Sequence, residues 1–181
     1  MKPAAFFLLA VSAFAAQVAV RPAVVTTTTG EQPHVTRQSF SDLEKKIDGR
    51  LSTVGGADHV DLLGLTRALY LEGYGVVITS EASLIVTPAI NPFRQQMSKA
   101  EIDQVHKRKL DHLPALRDAM RELWLASASS LTGIPEDEQV VFAVRLLYAP
   151  WEDTKGLPGQ LMIKAPRRAL LSGTVTTPEE P

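Results

Sequence analysis

Residues 76–86 read Val76-Val77-Ile78-Thr79-Ser80-Glu81-Ala82-Ser83-Leu84-Ile85-Val86. Val76, Ile78, Ala82, Leu84 and Val86 fall on one side of an extended chain, with Ser80 the single polar member. Thr79, Glu81 and Ser83 fall on the other. Strand side chains alternate between two faces, so this is a β-strand buried on one side. A sheet built on such a strand has one covered face and one open face, and its cover must come from helices elsewhere in the chain.

Two segments have the helical period. Over Ser41–Val54, Leu43, Ile47 and Leu51 recur at four-residue steps, Ser41 and Glu44 have capping-box spacing, and Gly55-Gly56 ends the run. Over Ser98–Ser130, Ser98 and Glu101 form a second capping box. Ile102, Val105, Leu113, Leu116, Met120 and Leu123 trace an apolar face that Lys109 interrupts. Pro114 lacks an amide and crowds the carbonyl of Leu110, which predicts a kink or two abutting helices near Asp111.

The remaining strands flank these helices. Asp58–Leu65 reads as a helical turn and Arg67–Glu72 as a short strand, with Gly73-Tyr74-Gly75 turning tightly into the strand above. Tyr70 and Tyr74 would pack at that turn. Thr87–Met97, with Pro88 and Asn91-Pro92, is a loop. Gln139–Tyr148 places Val140, Phe142, Val144, Leu146 and Tyr148 on one face, and Gln160–Ala165 does the same with Leu161, Ile163 and Ala165. A short helix follows at Arg167–Leu171. The order α-ββ-α-ββ predicts an α+β two-layer sandwich: a mostly antiparallel sheet of about four strands with helices on one face. It does not fix the strand order.

Four regions are expected along the chain. Residues 1–15 have the pattern of an export signal: Lys2, an apolar run from Ala4 to Ala16, and Ala13-Phe14-Ala15 as a small-x-small cleavage site, cut after Ala15. Residues 16–38, with Thr26–Thr29, form a Thr-rich leader, residues 39–171 a single domain, and residues 172–181 a disordered tail. The apolar run up to Val20 reaches the lower end of what a membrane helix needs, so an uncleaved anchor is the rival reading.

Composition narrows function mostly by exclusion. The chain has 181 residues, 19 Lys+Arg against 20 Asp+Glu, and no cysteine. Near-neutral charge offers no general attraction for nucleic acid, and the lack of cysteine removes disulfides, thiolate catalysis and Cys-ligated metal. No Gly-x-Ser-x-Gly, Ser-x-x-Lys, His-Glu-x-x-His or Walker sequence is present. Asp58-His59-Val60-Asp61 is the one dense run of metal-ligand residue types, and acids at a helix start account for it without an ion. His106-Lys107-Arg108-Lys109 reads as a solvated helix face, with His106 one turn from Asp103 and paired to it. No metal, cofactor or catalytic residue is assigned.

The open sheet face is the more informative surface. Val77, Val141, Leu147 and Met162 point to it together with Thr79, Glu81, Arg145 and Lys164. Glu81 is placed to pair across strands with Arg145 or Lys164. The candidate binding residues are Val77, Glu81, Val141, Arg145, Leu147 and Met162, with Trp151 from the loop Ala149–Gly159. The expected function is an exported, periplasmic or secreted, non-enzymatic protein that binds a protein partner or self-associates through this face. One alternative is a secreted hydrolase or carbohydrate-binding protein using Trp151, Glu152 and Asp153. The other is a membrane-tethered domain with an uncleaved N-terminal helix.

Overall fold

The computed structural model describes residues 35–87 and 97–175. Its elements are α1 (Arg37–Leu51), a 3-10 turn (Gly56–Asp58), β1 (Asp61–Leu62), β2 (Arg67–Leu71), β3 (Gly75–Ser83), α2 (Lys99–Ser130), β4 (Gln139–Leu146), β5 (Gln160–Pro166) and α3 (Arg167–Ser172). β1 and β2 both pair with the same edge of β3, which is followed by β4 and then β5. The β1–β3, β2–β3 and β4–β5 pairings are antiparallel. The fold is therefore the α+β sandwich read from the sequence, with the helices on one side of the sheet.

The β3–β4 pairing is parallel, with Gly75 opposite Gln139 and Ala82 opposite Leu146. Neighbouring strands joined by short turns pair antiparallel, but β3 and β4 are separated by a helix of 32 residues. That helix carries the chain back along the sheet, so the next strand starts beside the start of β3 and runs the same way. Two antiparallel units thus meet at a parallel seam.

α1 buries Leu43, Ile47 and Leu51 as the period requires. It begins earlier than Ser41, inside the stretch read as leader. Thr36 is the N-cap, its side-chain oxygen accepting from the Ser39 amide at 3.1 Å. Glu44 is thereby freed from a capping box and turns to the sheet, where it accepts from the Ala68 amide at 2.8 Å. Asp48, one turn on, accepts from the Thr66 amide at 2.9 Å. These carboxylates satisfy edge amides on and beside β2 that would otherwise invite another strand.

α2 opens on the expected capping box, with Ser98 accepting from the Glu101 amide and Glu101 from the Ser98 amide. It then runs unbroken through Pro114; two abutting helices are not formed. Pro114 and Leu110 both lie on the exposed side, where water can take the carbonyl that proline leaves unpaired. The opposite side buries Val105, Leu113, Leu116, Met120, Leu123, Trp124 and Ala128 against the sheet. The Trp124 indole donates to the Val140 carbonyl at 2.8 Å, fixing α2 over β4.

The inner sheet face is close to the sequence reading. Val76, Ile78, Ala82, Leu84, Val140, Phe142, Val144 and Leu146 are all in the core. Ser80, the polar exception, shares a hydrogen bond of 2.7 Å with the buried Thr66 hydroxyl. β3 ends at Ser83, short of the predicted Val86: the Ser83 hydroxyl donates to the Ile85 carbonyl at 2.9 Å, and Val86 is exposed. Most of the expected loop after Thr87, with the leader before Val35 and the export signal, lies outside the described residues.

Candidate functional site

Strand register assigns each predicted binding residue its place. Leu69, Val77, Val141 and Lys164 form one row across β2, β3, β4 and β5. Arg67, Thr79, Ala143 and Met162 form the next, and Glu81, Arg145 and Gln160 the one after. Val77, Glu81, Val141, Arg145 and Met162 thus share the open face. Leu147 lies just past β4, half-buried, its amide donating to the Ala82 carbonyl at 2.9 Å. Trp151 sits in the loop between β4 and β5, away from these rows. Val141, read as exposed, is buried, because it stands inside its row on a central strand, between Val77 on β3 and Lys164 on β5. Of the two partners open to Glu81, the structure selects Arg145, at 3.5 Å.

The face has two unlike ends. Around Val77 it is mostly apolar, with Leu69, Leu71 and, one row on, Met162 each more than 40% exposed (45%, 44% and 43%) and Lys164 the one charge in the Val77 row. Around Glu81 it is polar and concave. There a groove of about 460 Å³ is lined by Leu65, Arg67, Thr79, Glu81, Arg145 and Gln160, with the small Ala143 in its floor. The groove follows from the interruption of the edge strand. After the Leu63 amide bonds to the Glu81 carbonyl, the chain leaves β3 and rejoins it only at Arg67.

A second polar constellation lies where β3 ends. Lys109, the residue that interrupted the α2 apolar face, is wholly buried, and its ammonium pairs with a Glu152 carboxylate that is 2% exposed. The same ammonium donates to the Ser83 hydroxyl at 3.2 Å and stands 5.0 Å from the centre of the Tyr148 ring. The Tyr148 hydroxyl donates to the Pro158 carbonyl at 2.7 Å. Neither Ser-x-x-Lys spacing nor any local motif relates Ser83 to Lys109, so scanning for motifs does not find this group. The signals in the sequence were the break in the α2 stripe and the acidic pair Glu152-Asp153 beside Trp151. A hydroxyl, an amine and a carboxylate in contact resemble a nucleophile and its activators. Here the serine proton goes to a backbone carbonyl, the lysine is held by an anion, and all three side chains are closed from solvent. The arrangement fastens the β4–β5 loop to α2.

The Tyr148 phenol reports on this closure. Burial and, after it, the nearby Glu152 carboxylate push its pKa up to about 12 from 10.0. The folded state therefore keeps a proton that the unfolded chain releases from about pH 10. This contribution to stability is intact below pH 10 and is lost as pH rises from 10 through 12. The 295-nm absorbance titration of the wild type minus that of Tyr148→Phe should contain one phenol ionising near 12. A difference titrating near 10 would mean that the loop is open.

The basic run on α2 is divided between two jobs. Beside the buried Lys109, Arg108 donates from Nε to Asp58 Oδ2 at 2.8 Å and from a terminal nitrogen to Oδ1. His112 Nε2 stands 3.5 Å from Asp58 Oδ2. The Arg108 hydrogen bonds hold the Asp58 carboxyl below its ordinary range, against an opposing effect of burial. Asp58 thus ties the 3-10 turn to α2. His106 does not pair with Asp103 as expected: its Nδ1 lies 2.9 Å from the Asp153 carbonyl oxygen, a second tie on the β4–β5 loop.

Among the described residues, no three His, Cys, Asp or Glu side chains are placed to hold a metal ion, and no helix is long and apolar enough to cross a membrane. No protein-family model, no curated protein and no solved structure matches the chain.

Proposed function

We propose that this is an exported, non-enzymatic protein that acts by protein contact through the open face of its sheet, with self-association as the leading form. The observation that carries the reading is the apolar end of that face. Leu69, Leu71 and Met162 are exposed around Val77 and Val141, and no helix covers them among the described residues. Exposed apolar side chains grouped on one surface mark contact sites, whereas scattered ones do not. The reading also draws support from the closed state of the Ser83–Lys109–Glu152 group. Glu152, one of the two acids a secreted hydrolase would draw on, is spent as the counter-ion of Lys109. Export rests on the sequence of residues 1–15 alone.

The test uses the mature protein secreted by a host strain, with its first residue located by intact mass at Ala16. In sedimentation velocity the wild type should associate as concentration rises, and Leu69→Glu should be monomeric with an unchanged melting curve. A wild type that sediments as a monomer at every concentration would overturn self-association. An N-terminus retaining Met1 would favour the tethered alternative.

A further inference from the structure

The polar end of the open face has a charge order of its own. Arg67 on β2 and Arg145 on β4 stand on either side of β3, two strand spacings apart across the sheet and two residues apart along it, so roughly 12 Å separates their backbones. Glu81 lies on the strand between them. The groove is thus lined cation, anion, cation, with the Thr79 hydroxyl and the Gln160 amide beside the charges and Leu65 and Ala143 supplying apolar wall and floor.

The guanidinium groups are under-used. Arg145 touches Glu81 at 3.5 Å. Arg67 reaches the Thr66 carbonyl at 3.5 Å and stands 4.0 Å from the Glu44 carboxylate. These are long contacts, and a guanidinium has five N–H donors in a planar fork suited to a carboxylate. Both side chains are about two-thirds exposed, at 64% and 66%, so donors are free to turn into the groove without breaking a buried bond. A simple anion would use the arginines but meet Glu81. A simple cation would meet the arginines. A molecule with both charges close together answers all three, and 460 Å³ is within the range of small-molecule sites.

The geometry points to a binding site for a zwitterionic amino acid or short peptide, its carboxylate taken by Arg67 and Arg145, its ammonium by Glu81, and its side chain laid on Leu65 and Ala143. This goes beyond protein contact and shares with it only the accessibility of the open face. The two are read at different ends of that face, by calorimetry here and by sedimentation there, so either can fail alone.

The probe is the dipeptide glycyl-leucine, titrated into the full chain by calorimetry and by 1H–15N NMR. Glycyl-leucine should shift the amides of Thr79, Glu81, Ala143 and Arg145. N-acetylation or C-amidation of the dipeptide should each cost about tenfold or more in affinity, the effect of losing a charged hydrogen bond. Arg67→Met should reduce the penalty of the amide, Arg145 remaining to meet the carboxylate, and Glu81→Gln should erase that of the acetyl group. Both residues are on the surface, and the variants should melt with the wild type. The inference is overturned if no groove amide shifts up to about 10 mM dipeptide, a concentration that reveals even millimolar affinity. It is equally overturned if the doubly blocked dipeptide binds as well as the free one, or if the shifts fall elsewhere.

Discussion

Lys109→Met should unfold at markedly lower urea concentration than the wild type, with a loss of about 3–5 kcal/mol. The reason is what remains behind. The Glu152 carboxylate is 2% exposed and the Lys109 ammonium is its cation. Removing the cation leaves a charge that water cannot reach, the case in which breaking an ion pair costs most. The variant also gives up the ammonium over the Tyr148 ring and the donor to Ser83. Against the roughly 5–15 kcal/mol that holds a typical domain together, this is a large fraction. Methionine has nearly the shape of the lysine stem, so the loss is electrostatic and does not come from a cavity.

The double variant Lys109→Met, Glu152→Met separates the cost of breaking the pair from the worth of having it. With both charges gone and apolar bulk in their place, stability should return to within about 2 kcal/mol of the wild type in either direction. The pair would then be a device for fixing where the β4–β5 loop sits, at little net gain in stability. The loop in the double variant should exchange its amide hydrogens faster, because Lys109 and the His106 contact with Asp153 are the ties from α2 to it. A single variant within about 1 kcal/mol of the wild type would mean that water reaches Glu152.

Periodicity made most of this fold legible, and it failed where one side chain outweighed the local pattern. The strand Gly75–Ser83 and the stripes of both long helices follow from alternation and from four-residue steps, although alternation carried the strand on to Val86. α1 starts before Ser41 because Thr36 caps it and Glu44 is drawn to the Ala68 amide, a contact between residues 24 apart that no window contains. The parallel seam was hidden because hairpin signals describe neighbours, and β3 meets β4 only through α2. The candidate site divides in the same way. Its face could be read from alternation, and Glu81 with Arg145 were correctly set on it. Its groove could not, because it depends on where the edge strand breaks. The Ser83–Lys109–Glu152 group joins three elements, and only the flaw in the α2 stripe and the acidic pair in the β4–β5 loop announced it.

Leu69-Tyr70-Leu71-Glu72-Gly73-Tyr74-Gly75 stands out in the sequence without a motif to explain it, and the two glycines predict opposite outcomes. Both have positive φ, +73° at Gly73 and +129° at Gly75. A Cβ on Gly73 would meet nothing within 4 Å, so Gly73→Ala should cost only the left-handed backbone penalty, about 1–2 kcal/mol. Gly75 opens β3 directly opposite Gln139, the first pair of the parallel seam, where the Gln139 amide donates to the Tyr74 carbonyl at 2.8 Å. A Cβ there would lie 2.7 Å from the Gln139 nitrogen and 2.8 Å from its carbonyl carbon, and closer still to its oxygen. Backbone atoms in a ladder cannot step aside as the end of a side chain can, so β4 must shift at its first residue or the seam must open. Gly75→Ala should therefore lose more than about 4 kcal/mol, or yield no folded protein. Urea unfolding of the two alanine variants side by side checks this. Equal losses would show that strain at φ alone sets the cost, and that the approach of β4 to the turn is looser than Gly75 implies.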